Sequence, residues 1–174
     1  MDHDAYSDEY IRSILANVKS VAIVGVTDTP VRASNIVARY LVAKGYRVYP
    51  VNPAHAGKVI AGQTVFSRLA EVPEPIDMVD IFRRQDALPE VVEEALALPV
   101  KPKVIWMQLG LRDDALAARI EAEGIRVVMN RCPKIEYGRL AGENTWAGIN
   151  SRTVSSKAPL MDPGHQHFRL DRND

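Results

Sequence analysis

The chain has 174 residues, enough for one domain with a single substantial core. Its 22 basic and 22 acidic residues cancel, so no global field recommends a nucleic acid or an anionic membrane as partner. One cysteine, Cys132, excludes an internal disulfide and the usual zinc ligand sets, and no apolar run approaches the ~18 residues that span a bilayer.

The polar, acidic opening MDHDAYSDEY is unlike a signal peptide, so a cytoplasmic location is the expectation. Ser7 is a candidate N-cap, Asp8 and Glu9 suit the positive end of a helix, and Ile11, Ile14, Leu15 and Val18 follow at helical spacing. A helix over 7–19 is predicted, lying across a sheet. Ser20 to Val26 reads as a first strand buried on both faces. It runs into Gly25, a short polar loop and a helix pattern from Ser34 to Lys44, stopped by Gly45. The stretch VAIVGVTDTPVRASN, Val21 to Asn35, is thus a strand, a glycine turn and a helix opening, the phosphate-binding corner of an open α/β sheet.

A second strand, Tyr46 to Val51, ends at Asn52-Pro53. A short strand near Gln63 to Phe66 and a helical piece at Ser67 to Ala70 precede a third main strand, Ile76 to Phe82. Asp86 is expected to cap a helix through Leu98, with Pro89 in its first turn. Lys103 to Gln108 is the fourth strand, Leu111 to Glu123 a helix closed by Gly124, and Ile125 to Asn130 the fifth strand. This β–α alternation predicts a doubly wound parallel sheet, with 3-2-1-4-5 the expected order of the main strands. The domain is placed at 1–139. Beyond it, 140–174 is expected to be extended, partly disordered, or an arm packing on its own body or a partner. His165 and His167 lack a third ligand, so no metal site is expected.

In that order the ligand crevice opens at the carboxyl ends of strands 1 and 4. Pro30 to Ala70 contains no acid but holds Arg32, Arg39, Lys44, Arg47, Lys58, Arg68 and His55. Such a window suits a multiply charged anion, or is a solvated surface that lacks acids. NAD fits poorly, because the second and third fingerprint glycines are missing and strand 2 ends in Asn52-Pro53 without an acid. NADP is less excluded, since Arg47, His55 or Lys58 could meet a 2′-phosphate.

The pieces VAIVGVT at Val21, SNIVARYL at Ser34, GYRVYPVNP at Gly45, GQTVFSRLAEVPEPIDMVDIFRR at Gly62, VIWMQLG at Val104 and VVMNRCPKIE at Val127 occur in order over two thirds of the chain. Together they resemble the CoA-binding domain family, the Rossmann-like domain at the N-terminus of succinyl-CoA synthetase α subunits and NDP-forming acyl-CoA synthetases. That family also occurs as small stand-alone bacterial proteins, as this chain resembles. The resemblance implies coenzyme A, or an acyl-CoA, as ligand. Gly25, Val26 and Thr27, with Arg32 and Ser34, would hold its phosphates. Asn52 and Pro53 would run along the nucleotide, and His55 falls where synthetases carry a lysine near phosphate. Phe82 and Arg83 would lie beside the adenine or ribose. Gln108 to Gly110, and Asn130 to Pro133 with Cys132, would flank the pantetheine arm.

Each position has a plainer reading: Ser34 as a helix cap, Phe82 as core, Gln108 satisfying a strand end, Cys132 as an inert thiol. A Cys132 near the pantetheine thiol would allow a mixed disulfide with CoA. The resembling synthetases also use a phosphohistidine domain and an ATP-grasp portion, which 174 residues do not accommodate. Binding of CoA or a short acyl-CoA without independent ligase activity is therefore expected. An NAD(P)-dependent oxidoreductase and an interaction subunit supplying this domain to a partner chain are the alternatives. A homodimer is also left open.

Overall fold

A computed structural model describes residues 2–143 and Leu170. Helix α1, Asp8–Asn17, begins as predicted, with Ser7 Oγ accepting a hydrogen bond from the Tyr10 amide. Strand β1, Ser20–Val24, is buried at every residue. It is followed by α2, Ala33–Ala43, and by β2, Arg47–Val51. Strands β3, Val59–Ile60, and β4, Gln63–Thr64, form a small antiparallel hairpin. Then come β5, Met78–Ile81; α3, Leu88–Leu96; β6, Val104–Met107; α4, Asp114–Ala122; β7, Arg126–Val128; and α5, Pro133–Leu140.

The doubly wound, Rossmann-like parallel sheet is present, with the order β2-β1-β5-β6-β7. In main strands this is 2-1-3-4-5, which corrects the expected 3-2-1-4-5. The reason is visible in β2. Pro50 has no N–H to donate, and proline within a sheet belongs on an edge. Its carbonyl faces the outer side, where it accepts from Phe66 N at 2.9 Å. Arg47 is exposed and Tyr49 half-buried on the same strand. An interior β2 would have left a ladder bond unmade. β1 therefore takes the centre, paired to β2 on one side and β5 on the other.

Alternate residues of each strand serve opposite faces, as burial on both sides requires. Val21, Ile23, Met78 and Trp106 pack under Ile14, Leu15, Leu41 and Tyr137 of α1, α2 and α5. Val24, Val79, Ile81 and Ile105 pack under Val92, Leu116 and Ile120 of α3 and α4. Two further differences from expectation concern helices. Asp86 does not cap α3: a 3-10 turn over Gln85–Ala87 intervenes, and Arg84 takes the Asp86 carboxylate at 2.8 Å. Helix α5 was unforeseen, and it buries Tyr137 and Gly138. Most of 140–174, with His165 and His167, lies outside the described residues. Glu143 and Leu170 are within them, and both are buried.

Candidate functional site

The order 2-1-3-4-5 moves the topological switch point to the carboxyl ends of β1 and β5, not strands 1 and 4. A cavity of about 550 Å³ opens there, lined by Gly25, Thr27, Asn52, Phe82, Arg83, Arg84, Asp86, Ala87 and Glu90. That volume lies in the range of small-molecule sites.

Gly25 makes the crevice possible. Its φ is +90°, and a Cβ there would sit 2.3 Å from the Phe82 carbonyl oxygen. A side chain would force the walls apart as well as strain the backbone. The loop beyond is held by its own bonds. Thr27 N donates to Ser34 Oγ at 3.2 Å, Asn35 Nδ2 to Thr27 O at 2.9 Å, and Arg39 Nη2 to Pro30 O at 2.8 Å. Asn52 is committed at both ends of its amide: Nδ2 donates to Val26 O at 2.7 Å, and Oδ1 accepts from Ala54 N at 3.0 Å. Ser34 and Asn52 are therefore braces of the loop, and Val26 is a core residue. Thr27 Oγ1, in contrast, is buried without a hydrogen-bond partner among the described residues.

Much of the acid-free window is neutralised by acids from elsewhere. Lys58 meets Asp28 at 2.7 Å, Arg47 meets Glu74 at 3.2 Å, and Arg68 meets Glu71 at 3.5 Å. The Lys58 bond holds the Asp28 carboxyl below its usual range, and His55 lies 3.7 Å from the same carboxylate. Pro53 is exposed beside it. Arg32, exposed at the start of α2, and Arg83 in the cavity have side chains without hydrogen bonds or ion pairs among the described residues.

The remaining sequence-derived residues sit at the ends of β6 and β7, outside the cavity lining. Gln108 is buried and donates to both oxygens of Asp80, at 2.8 and 3.1 Å. The Gly110 amide donates to Asn130 Oδ1 at 2.8 Å, and Asn130 has φ +51°. Cys132 and Pro133 are buried where α5 begins. Burial pushes the Cys132 thiol up to about 11, so at neutral pH it is a protonated core thiol rather than a nucleophile. Asp80 is fully buried, which raises its carboxyl to about 8 against the lowering effect of Gln108. Sequence reasoning put Arg84 at the end of strand 3 and Asp86 at a helix cap, but assigned neither of them, nor Glu90 or Asp80, to the ligand. Placing strand 3 beside strand 1, which Pro50 indicated, brings the first three to the cavity. Among the described residues no helix is long and apolar enough to cross a membrane, and no group of side chains could hold a metal ion.

Residues 19–138 match the family described as CoA binding domain. A Bacillus subtilis protein, the uncharacterized YneT, is 35% identical over 127 residues, covering 73% of this chain and 91% of its own. The α subunit of an ADP-forming acetate–CoA ligase from Pyrococcus furiosus is 32% identical over 84 residues, 46% of this chain and 18% of that subunit. A solved structure from Thermus thermophilus, 36% identical, superposes with a TM-score of 0.73 over 78% of this chain and 99% of its own. With 120 consecutive residues matched, on a sheet whose switch point carries an open crevice, the chain belongs to the CoA-binding domain family.

Proposed function

We propose that the protein binds coenzyme A, or a short acyl-CoA, in the crevice between β1 and β5, and does so without ligase activity of its own. The observation that carries this is the cavity at the switch point, where Arg83 is exposed and has no ion pair or hydrogen bond among the described residues. Gly25 lets the β1 turn close against the Phe82 carbonyl to form the floor of that cavity, and Thr27 lines it beside the start of α2. Phosphate oxygens would meet the Arg83 guanidinium and the N-terminus of α2. Arg32 at the mouth of the same loop is available to a second phosphate, and Phe82 offers a half-buried ring to the adenine. The pantetheine arm would run over the ends of β6 and β7, past Gly110 and Asn130.

The lining contains no histidine, cysteine or lysine, and of its two carboxylates Asp86 is paired with Arg84, so no nucleophile with an adjacent base supports catalysis. The acetate–CoA ligase subunit carries a matching stretch within a much longer chain. Supply of this domain to a partner enzyme subunit is compatible with that, as is a homodimer. Titration calorimetry with CoA, acetyl-CoA and NADP tests the reading. CoA should bind and NADP should not; binding of NADP alone would overturn it.

A further inference from the structure

The cavity holds four charged side chains, and they are not equivalent. Arg84 and Asp86 neutralise each other at 2.8 Å. Arg83 and Glu90 have no ion pair or hydrogen bond among the described residues. The crevice thus offers a ligand one free cation and one free carboxylate. A site for phosphates alone would gain nothing from Glu90, which would repel them. The pair suits a molecule that joins an anion to hydrogen-bond donors. Glu90 occupies the first turn of α3, exposed at the rim of the cavity. The acid that dinucleotide sites place at the end of strand 2 is absent here, where Asn52 stands with its amide bonded to Val26 O and Ala54 N. Glu90 offers a carboxylate from the opposite wall.

We infer that Glu90 reads the nucleoside, accepting hydrogen bonds from a ribose hydroxyl or the adenine amino group, and so selects nucleotides over other phosphate-bearing molecules. This rests on the crevice being the CoA site. The ring of Phe82 would hold the base while Glu90 and Arg83 grip opposite edges of the nucleotide.

The test is calorimetry of wild type and Glu90→Ala with CoA and its two halves, adenosine 3′,5′-bisphosphate and 4′-phosphopantetheine. Glu90→Ala should weaken CoA and the bisphosphate roughly tenfold, the scale of one charge-assisted hydrogen bond, and leave 4′-phosphopantetheine unchanged. An equal loss for both halves, no loss, or tighter CoA binding would overturn the inference, the last by showing that Glu90 only repels phosphate. If wild type binds the bisphosphate but not CoA, the CoA reading fails while Glu90 is still judged on the bisphosphate. If it binds neither, both fail. Unliganded melting temperatures separate a structural effect, because a helix-dipole role alone would lower stability without discriminating between the halves.

Discussion

Helix α2 has polar groups at both ends, and they are treated in opposite ways. At its N-terminus Arg32 is exposed, Thr27 Oγ1 lacks a partner, and Arg83 across the crevice is unpaired among the described residues. At its C-terminus Lys44 is buried and paired with Glu143, which is equally buried. Tyr40 donates to the same carboxylate at 2.8 Å, and burial, then Glu143, raises its hydroxyl pKa. The Lys44 ammonium lies 5.3 Å from the Tyr40 ring centre and 5.6 Å from that of Tyr137. Tyr137 in turn accepts the Leu170 amide at 2.9 Å. The buried charges at one end are satisfied from within, whereas Arg32 and Arg83 at the other have no partner among the described residues. On the proposed reading, that difference, more than the number of cations, separates a binding end from a structural one.

The structural end should show the largest effect. Glu143→Ala removes the buried carboxylate that meets Lys44 and Tyr40, at an expected cost of about 3–5 kcal/mol in urea unfolding. CoA affinity measured below the transition should be unchanged. Replacing both partners with apolar residues, Lys44→Met with Glu143→Leu, should recover most of the loss. A cost under ~1 kcal/mol for Glu143→Ala, typical of an exposed pair, would erase the contrast between the two ends.

Gly25→Ala joins the two concerns. Forcing a Cβ at φ +90° costs of order 1–3 kcal/mol, and here the Cβ would also strike the Phe82 carbonyl. Stability and CoA binding should fall together. Unfolding midpoints and calorimetry on one preparation would reveal any dissociation of the two.

The binding end should show the reverse of Glu143. Arg83→Ala is expected to weaken CoA by about 1.5–3 kcal/mol, the range of a charge-assisted bond, with its melting temperature intact. Arg32→Ala should give a smaller loss, because Arg32 stands outside the cavity lining. Comparing CoA with dephospho-CoA shows which arginine serves the 3′-phosphate. An Arg83 variant with undiminished affinity would mean that the phosphates lie elsewhere.

The first strand, its glycine and α2 were legible because burial on both faces writes a continuous apolar run and Gly25 interrupts it. The order of strands was not, since right-handed crossovers permit more than one order; only Pro50 carried the information. Helix α5 was missed because Gly138 reads as a stop, whereas it is buried inside the helix. Acid-free composition pointed to a charged ligand, but Lys44, Lys58, Arg47 and Arg68 find acids distant in sequence or in neighbouring turns. Pairing is a property of the fold, and a charge count along the chain does not contain it.

Asp80 is a third way of treating a polar group, between the two ends of α2. It lies at 0% exposure on β5, level with Ile23 and Trp106 of the neighbouring strands. Among the described residues no cation meets it, and the Gln108 amide is its side-chain partner. Burial without a counter-charge favours the neutral acid, which is why its pKa rises to about 8. An unfolded chain would release that proton near 3.8, the ordinary value of an aspartate. Between these values the folded protein holds a proton that the unfolded chain has lost, so stability falls as pH rises, by up to ~1.4 kcal/mol per unit. The contribution is complete below the lower value and gone above the upper. Asp80→Asn, which imitates the neutral acid, should remove this slope and be the more stable protein at pH 8. Urea unfolding of both at pH 6, 7 and 8 measures it. Parallel curves would mean that Asp80 is ionised inside the sheet, and that burial here is compensated as fully as at Lys44.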